Sequence, residues 1–254
     1  MPYLSRVWLN PLRRQGHRLL GDPQAMHAAV LAGLPHQPVT ERVLWRVDPR
    51  DPRRPDLLVL TGSRPSWEHL TEQAGWPSAD DPSDPQVVVR DYQPMLQRLA
   101  AGQEFAFRLA ANPTQSTRRP EVLTTRQKER AADGVLPRSV RLGHRTVAHQ
   151  GEWLTSHARG WGFEVPPARS SVAMQETVPD LRIIGRTRSS FTRRGGSGRV
   201  VVQVVTYEGC LRVIDPELLR AAMVNGMGPA KAYGCGLLTL APLREGESAD
   251  VVAG

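Results

Sequence analysis

Lysine and cysteine are almost missing from this chain. Of its 33 basic residues only Lys128 and Lys231 are lysines. The positive charge therefore rests on arginine, whose planar fork grips phosphate oxygens and guanine edges in a way a compact ammonium does not. The two cysteines, Cys210 and Cys235, are too few for a zinc cluster, and neither Cys-x-x-Cys nor His-Glu-x-x-His spacing occurs. Catalysis by a bound transition metal is thereby disfavoured, and no cofactor is expected. No apolar run approaches the roughly 20 residues that span a bilayer, and none follows the N-terminal strand as a leader segment would. The expectation is a soluble, cytoplasmic protein.

What is present is net positive charge. Lysine plus arginine outnumber aspartate plus glutamate by 33 to 25, for a formal net charge of +8. That balance favours a polyanionic partner, although many basic proteins bind no nucleic acid, so the placing of the arginines has to decide. A length of 254 residues fits one large domain or two small ones, because single cores stop growing near about 250 residues.

The order of elements points to two units. Residues 3 to 9 are β-branched and aromatic and stop at Asn10-Pro11, a strand followed by a turn. After an arginine-rich loop, Asp22-Pro23 supplies a cap and a first-turn proline. Met26, Ala29, Val30 and Gly33 then mark one apolar or small helix face. Residues 42 to 47 and 56 to 61 read as a hairpin, Ser66 as the cap of a short helix, and residues 87 to 89 as a strand. The sum is βαββαβ, the ferredoxin-like unit. The pattern restarts at residues 104 to 109, which run into Ala111-Asn112-Pro113 much as the first strand runs into Asn10-Pro11. Residues 114 to 150 read as a long polar loop and residues 152 to 161 as a helix. Strands follow at 182 to 188, 200 to 207 and 211 to 214, the last two joined by a Glu208-Gly209 turn, then a helix from Pro216 and a strand at 237 to 240. We therefore expect an α+β protein of two tandem ferredoxin-like units. They divide into residues 1 to 92 and 93 to 245, with a disordered tail at 246 to 254.

Three features can carry chemistry. His27 follows Met26 on the first capped helix, about 100° around from its buried centre, at the border of core and solvent. Free amides at that helix start welcome a phosphate. Taken alone, a surface or half-buried histidine with no task is the more ordinary reading of His27, and position by itself does not single it out. Arg182, Arg186 and Arg188 lie along a strand, and Arg193, Arg194 and Arg199 surround a Gly195-Gly196-Ser197-Gly198 turn. A ribbon of this kind can bind phosphates on both walls of an RNA stem, and a solvated loop is the plain alternative. Gly226-x-Gly228 and Gly234-x-Gly236 bracket Lys231. Such spacing lets backbone amides approach a ligand, yet it is neither a P-loop nor a dinucleotide fingerprint.

The chain resembles the CasE endoribonucleases of subtype I-E CRISPR systems over about residues 3 to 243. The resemblance is carried by Tyr3-Leu4-Ser5-Arg6-Val7, by the helix start from Asp22 to His27, and by Phe107-Arg108-Leu109-Ala110-Ala111-Asn112-Pro113. Above all it is carried by Gly226-Met227-Gly228-Pro229-Ala230-Lys231-Ala232-Tyr233-Gly234-Cys235-Gly236-Leu237-Leu238. It implies two ferredoxin-like domains, a CRISPR repeat RNA hairpin and the other Cascade subunits as partners, and metal-free cleavage leaving a 2′,3′-cyclic phosphate and a 5′-hydroxyl. His27 falls where the family's catalytic histidine lies, and Lys231 is the candidate for stabilising charge on the phosphate. Arg182, Arg186, Arg188, Arg193, Arg194, Arg199, Gly226, Gly228, Gly234 and Gly236 fall in the RNA-contacting parts. Family members often carry tyrosine three residues before the histidine. Here that residue is Gln24, an amide that binds a phosphate but exchanges no proton near neutral pH. The rival reading is a non-catalytic RNA-binding module of two RRM-like domains. It predicts a Lys/Arg-Gly-Phe/Tyr-Gly/Ala-Phe-Val stacking pattern, which the sequence lacks.

Overall fold

The computed structural model describes residues 1–49, 51–77, 84–117, 140–168, 178–192 and 199–243. The first unit runs β1 (Tyr3–Trp8), α1 (Arg14–Gly21), α2 (Pro23–Ala32), β2 (Leu44–Asp48), β3 (Asp56–Thr61), α3 (Glu68–Ala74) and β4 (Val87–Asp91). Its sheet is antiparallel throughout, in the order β2-β3-β1-β4. That is the ferredoxin-like arrangement, in which β1 lies between β3 and β4 because each half crosses over through a helix.

The second unit repeats the plan after a short α4 (Gln93–Gln97). It runs β5 (Glu104–Ala111), β6 (Thr114–Thr117), β7 (Val140–Gly143), α5 (Val147–Ala158), β8 (Phe163–Glu164), β9 (Leu181–Thr192), β10 (Arg199–Val213), α6 (Pro216–Asn225) and β11 (Leu238–Ala241). The sheet order β11-β5-β10-β8 matches that of the first unit, strand for strand. β9 adds a long antiparallel partner to β10, and β6 pairs with β7 outside the sheet. The fold is two ferredoxin-like units in tandem.

Period-two alternation divides the first sheet between two cores. Val7, Trp45, Leu57 and Val59 face Leu19, Met26, Val30 and Leu70 of α1, α2 and α3. Leu4, Leu44, Leu58 and Leu60 face the other way and pack with Phe107, Leu109, Leu237 and Leu238 of the second unit. The sheets thus meet face to face, with Arg46 fully buried between them.

Several elements differ from the sequence reading. The arginine-rich stretch before Asp22 is helical as α1, where Gly16 lies against the Asn10 carbonyl so closely that a Cβ would stand 1.9 Å from its oxygen. α3 starts at Glu68 with Trp67 in the cap position, not under a Ser66 cap. Residues 114 to 150, read as loop, contain β6, β7 and the first turn of α5. The proposed Glu208-Gly209 turn lies inside a continuous β10. Gly209 serves close packing there, since a Cβ would meet the Asp180 carbonyl oxygen at 2.0 Å. The turn at 195 to 198 and the tail at 246 to 254 lie outside the described residues.

Candidate functional site

α2 is set up by its first residues. The Asp22 carboxylate accepts a hydrogen bond from the Gln24 N–H at 2.8 Å, and Pro23 occupies the first helical position, where no N–H is needed. Met26 and Val30 anchor the helix in the first core. His27 is thereby held half-buried, with Gln24 one turn before it on the same side. Its Nδ1 is buried and has no hydrogen-bond partner. Burial lowers the imidazole pKa from its ordinary 6.5, because an imidazolium here would present an N–H with nothing to receive it.

The glycine-rich connection supplies the second component. Between α6 and β11 the chain makes a 3₁₀ turn at Lys231–Tyr233, and this turn packs against both α2 and β2. The side chain of Lys231 is laid along glycine backbone. At Gly226 (φ 80°) a Cβ would stand 2.9 Å from Lys231 Cε, and at Gly236 (φ 93°) it would stand 3.4 Å from Lys231 Cγ. Both left-handed positions suit glycine, and both leave room for the lysine stem. Burial, then the nearby charge of Arg42, lowers the Lys231 pKa. A phosphate beside it offsets both effects.

The arginine ribbon is the third component. Arg182, Arg186 and Arg188 on β9 are exposed, and Arg186 donates from Nη2 to the Arg145 carbonyl. Arg199 begins β10 opposite Thr192, while Arg193 and Arg194 lie outside the described residues. Phe191 brings the ribbon to the glycine-rich turn, its ring 4.8 Å from that of Tyr233. The turn from Lys231 to Tyr233 is therefore a meeting point for α2 and the end of β9. Phe191 and Arg42 carry no signal of their own in the sequence and Tyr233 figures there only within the glycine-rich run, so nothing links the three until the fold brings them together.

A model of the CRISPR associated protein family matches residues 2–242. The chain belongs to that family. The CRISPR-associated endoribonuclease Cse3 of Thermus thermophilus is 31% identical over 247 residues, spanning 94% of this chain and 100% of the relative. The CasE subunit of the Escherichia coli K12 CRISPR system Cascade is 31% identical over 157 residues, 62% of this chain and 67% of its own length. A solved structure of Thermus thermophilus Cse3 bound to an RNA representing a pre-cleavage complex superposes with a TM-score of 0.70 at 31% identity. It covers 95% of this chain and 99% of the Cse3 chain. Among the described residues no helix is long and apolar enough to cross a membrane.

Proposed function

We propose that this member of the family is a metal-independent endoribonuclease. It binds the stem-loop of CRISPR repeat RNA, cuts precursor CRISPR RNA and holds the product within Cascade in the cytoplasm. The observation that carries the reading is the packing of α2, which bears His27, against the Lys231 turn, with the arginine ribbon joined to the same turn through Phe191 and Tyr233. The RNA stem lies along β9, where Arg182, Arg186 and Arg188 are exposed, and Arg193, Arg194 and Arg199 are further candidates for its phosphates.

RNA carries its own nucleophile, so the protein has only to align it, move protons and stabilise charge. His27 takes the proton of the 2′-hydroxyl, O2′ attacks the adjacent phosphorus, and the bond from phosphorus to O5′ breaks. The 5′-oxygen leaves and takes a proton from water, giving a 2′,3′-cyclic phosphate and a 5′-hydroxyl. Burial, which lowers the His27 pKa and favours the neutral ring at rest, supports the base role. Lys231 faces the non-bridging oxygens as negative charge grows on them. Gln24 binds a phosphate oxygen through its amide and takes no proton.

Two measurements test this reading. Excess EDTA leaves the single-turnover rate on the repeat hairpin within about twofold, whereas a 2′-deoxy sugar 5′ of the cut stops the reaction. Loss of activity on chelation, restored by a divalent ion, refutes the metal-independent mechanism. Separately, alanine at Arg182, Arg186 and Arg188 together weakens hairpin binding and flattens the slope of log affinity against log salt by about one for each phosphate no longer neutralised. An unchanged slope means that β9 does not touch the backbone.

A further inference from the structure

Beside the Lys231 turn lies a cleft of about 1280 Å³, of whose lining the mechanism above uses Lys231 alone. One wall is the side of α5 that carries His149, Glu152, Trp153, Ser156 and His157, which share a helix face at spacings of three and four. The other wall is the backbone of residues 228 to 233, which comes down onto the helix so closely that a Cβ on Gly228 would stand 3.1 Å from the Trp153 ring. Arg42 and His144 complete the charged lining.

The charges in this cleft are unbalanced. Arg42, Lys231 and three histidines face, among the described residues, a single carboxylate, Glu152. Among the described residues, neither Arg42 nor Lys231 has an ion-pair partner. Arg186 of β9 brings a further cation against the Arg145 carbonyl, next to His144. The rings of His144 and His149 are 6.0 Å apart. Burial and the repulsion of His149 and His157 lower the His144 pKa, against the pull of Glu152. Cations and imidazoles gathered on two facing walls mark a place short of counter-charge, and a bound polyanion supplies it. His157 is already oriented for this. Its Nδ1 donates to the Trp153 carbonyl at 2.8 Å and its ring stacks on Trp161 at 5.5 Å. Nε2 is therefore the nitrogen that gains a proton and can then donate to a phosphate oxygen.

We propose that this cleft is a second RNA subsite, which takes the phosphodiester backbone of the single strand adjoining the hairpin, and that its histidines take up protons as the strand binds. The inference rests on the function proposed above. The cleft exceeds the roughly 300–1,000 Å³ of ordinary small-molecule pockets, as a chain segment requires. Its walls, one helix and one loop, suit a single strand, while the duplex stem belongs on the open ribbon. Arg186, bonded beside His144, joins the two surfaces.

The test uses the full chain and uncleavable RNAs with a deoxy sugar at the cut. One RNA is the hairpin alone, and the others carry unpaired nucleotides on its 5′ or its 3′ side. Affinity is read by fluorescence anisotropy from pH 6 to pH 8. An extension on one side should tighten binding by about tenfold at pH 6 and by about threefold at pH 8. In a His144→Gln, His149→Gln, His157→Gln variant the gain from the extension should shrink and lose its pH dependence, with affinity for the bare hairpin unchanged. Glu152→Gln, a milder change, should enlarge the gain at both pH values. If neither extension tightens binding, or if the triple variant keeps the wild-type pH dependence, the subsite is refuted while hairpin binding stands. A chain that binds no RNA of the set overturns the proposed function and this inference with it.

Discussion

Alanine at position 27 stops cleavage of the repeat hairpin but leaves its affinity within about threefold, because a proton-transfer group acts mainly on the transition state. The expected fall in the single-turnover rate is about 10² to 10⁴, the usual worth of general acid-base catalysis. His27 packs at the edge of a helix whose fold rests on Met26 and Val30, so its removal costs the core little. The pH profile gives an independent reading. A general base works only when neutral, so the rate falls as pH drops through the folded pKa of His27. Burial places that pKa below the ordinary 6.5 in the free protein, and the acid limb of the rate at sub-saturating RNA, which reports the free protein, should lie below that value. Lys231→Ala should behave differently and damage both binding and rate, since a cation beside the phosphate acts in the ground state as well. A near wild-type rate for His27→Ala, or an acid limb above pH 6.5, would sink the assignment.

Much of this site is legible in the sequence through local signals. Asp22-Pro23 marks the start of α2, and the alternation of residues 3 to 9 marks β1, because caps and periodicity are properties of neighbouring residues. Features that depend on distant parts of the chain are not legible in this way. The helical spacing of Gly16, Leu19 and Leu20 is hidden among arginines, and only the Asn10 carbonyl explains the glycine. Gly209 looks like a turn because its reason for being glycine is the Asp180 carbonyl on another segment. Starting α5 at residue 152, as its sequence suggests, leaves His149 in a loop and conceals the face it shares with His157. The meeting of α2 with the Lys231 turn joins opposite ends of the chain. Periodicity does not report such a contact, and only the family resemblance suggests that both ends belong to one site.

The largest effect on stability should come from Arg46, which no motif singles out. It lies in β2 on the face turned toward the second sheet and is 2% exposed. Nε and Nη2 donate to the two carboxylate oxygens of Asp48 at 2.6 and 2.8 Å. Nη1 donates to the carbonyls of Arg108 and Leu237, each at 2.8 Å, and Nη2 also reaches Thr239 Oγ1 at 2.8 Å. Every donor of the guanidinium is thus used, three of them on the second unit. Asp48 pairs in addition with Arg108 at 3.1 Å, and Arg108 donates from Nε to Glu208 at 2.6 Å. Burial alone would raise the Asp48 carboxyl, but Arg46 and Arg108 outweigh it and hold the pKa below the usual range. That contribution is present above the unfolded pKa of about 3.9 and is lost as pH falls through the lower folded value. Arg46→Met should cost about 3–5 kcal/mol in urea unfolding, because it leaves two carbonyls and a buried carboxylate short of partners. Arg46→Met with Asp48→Leu should recover much of the loss, since exchanging a buried pair for apolar groups of similar volume is often neutral or better. A single-variant loss below about 1 kcal/mol, in the range of exposed ion pairs, would mean that water reaches the guanidinium and that Arg46 does not bind the two sheets together.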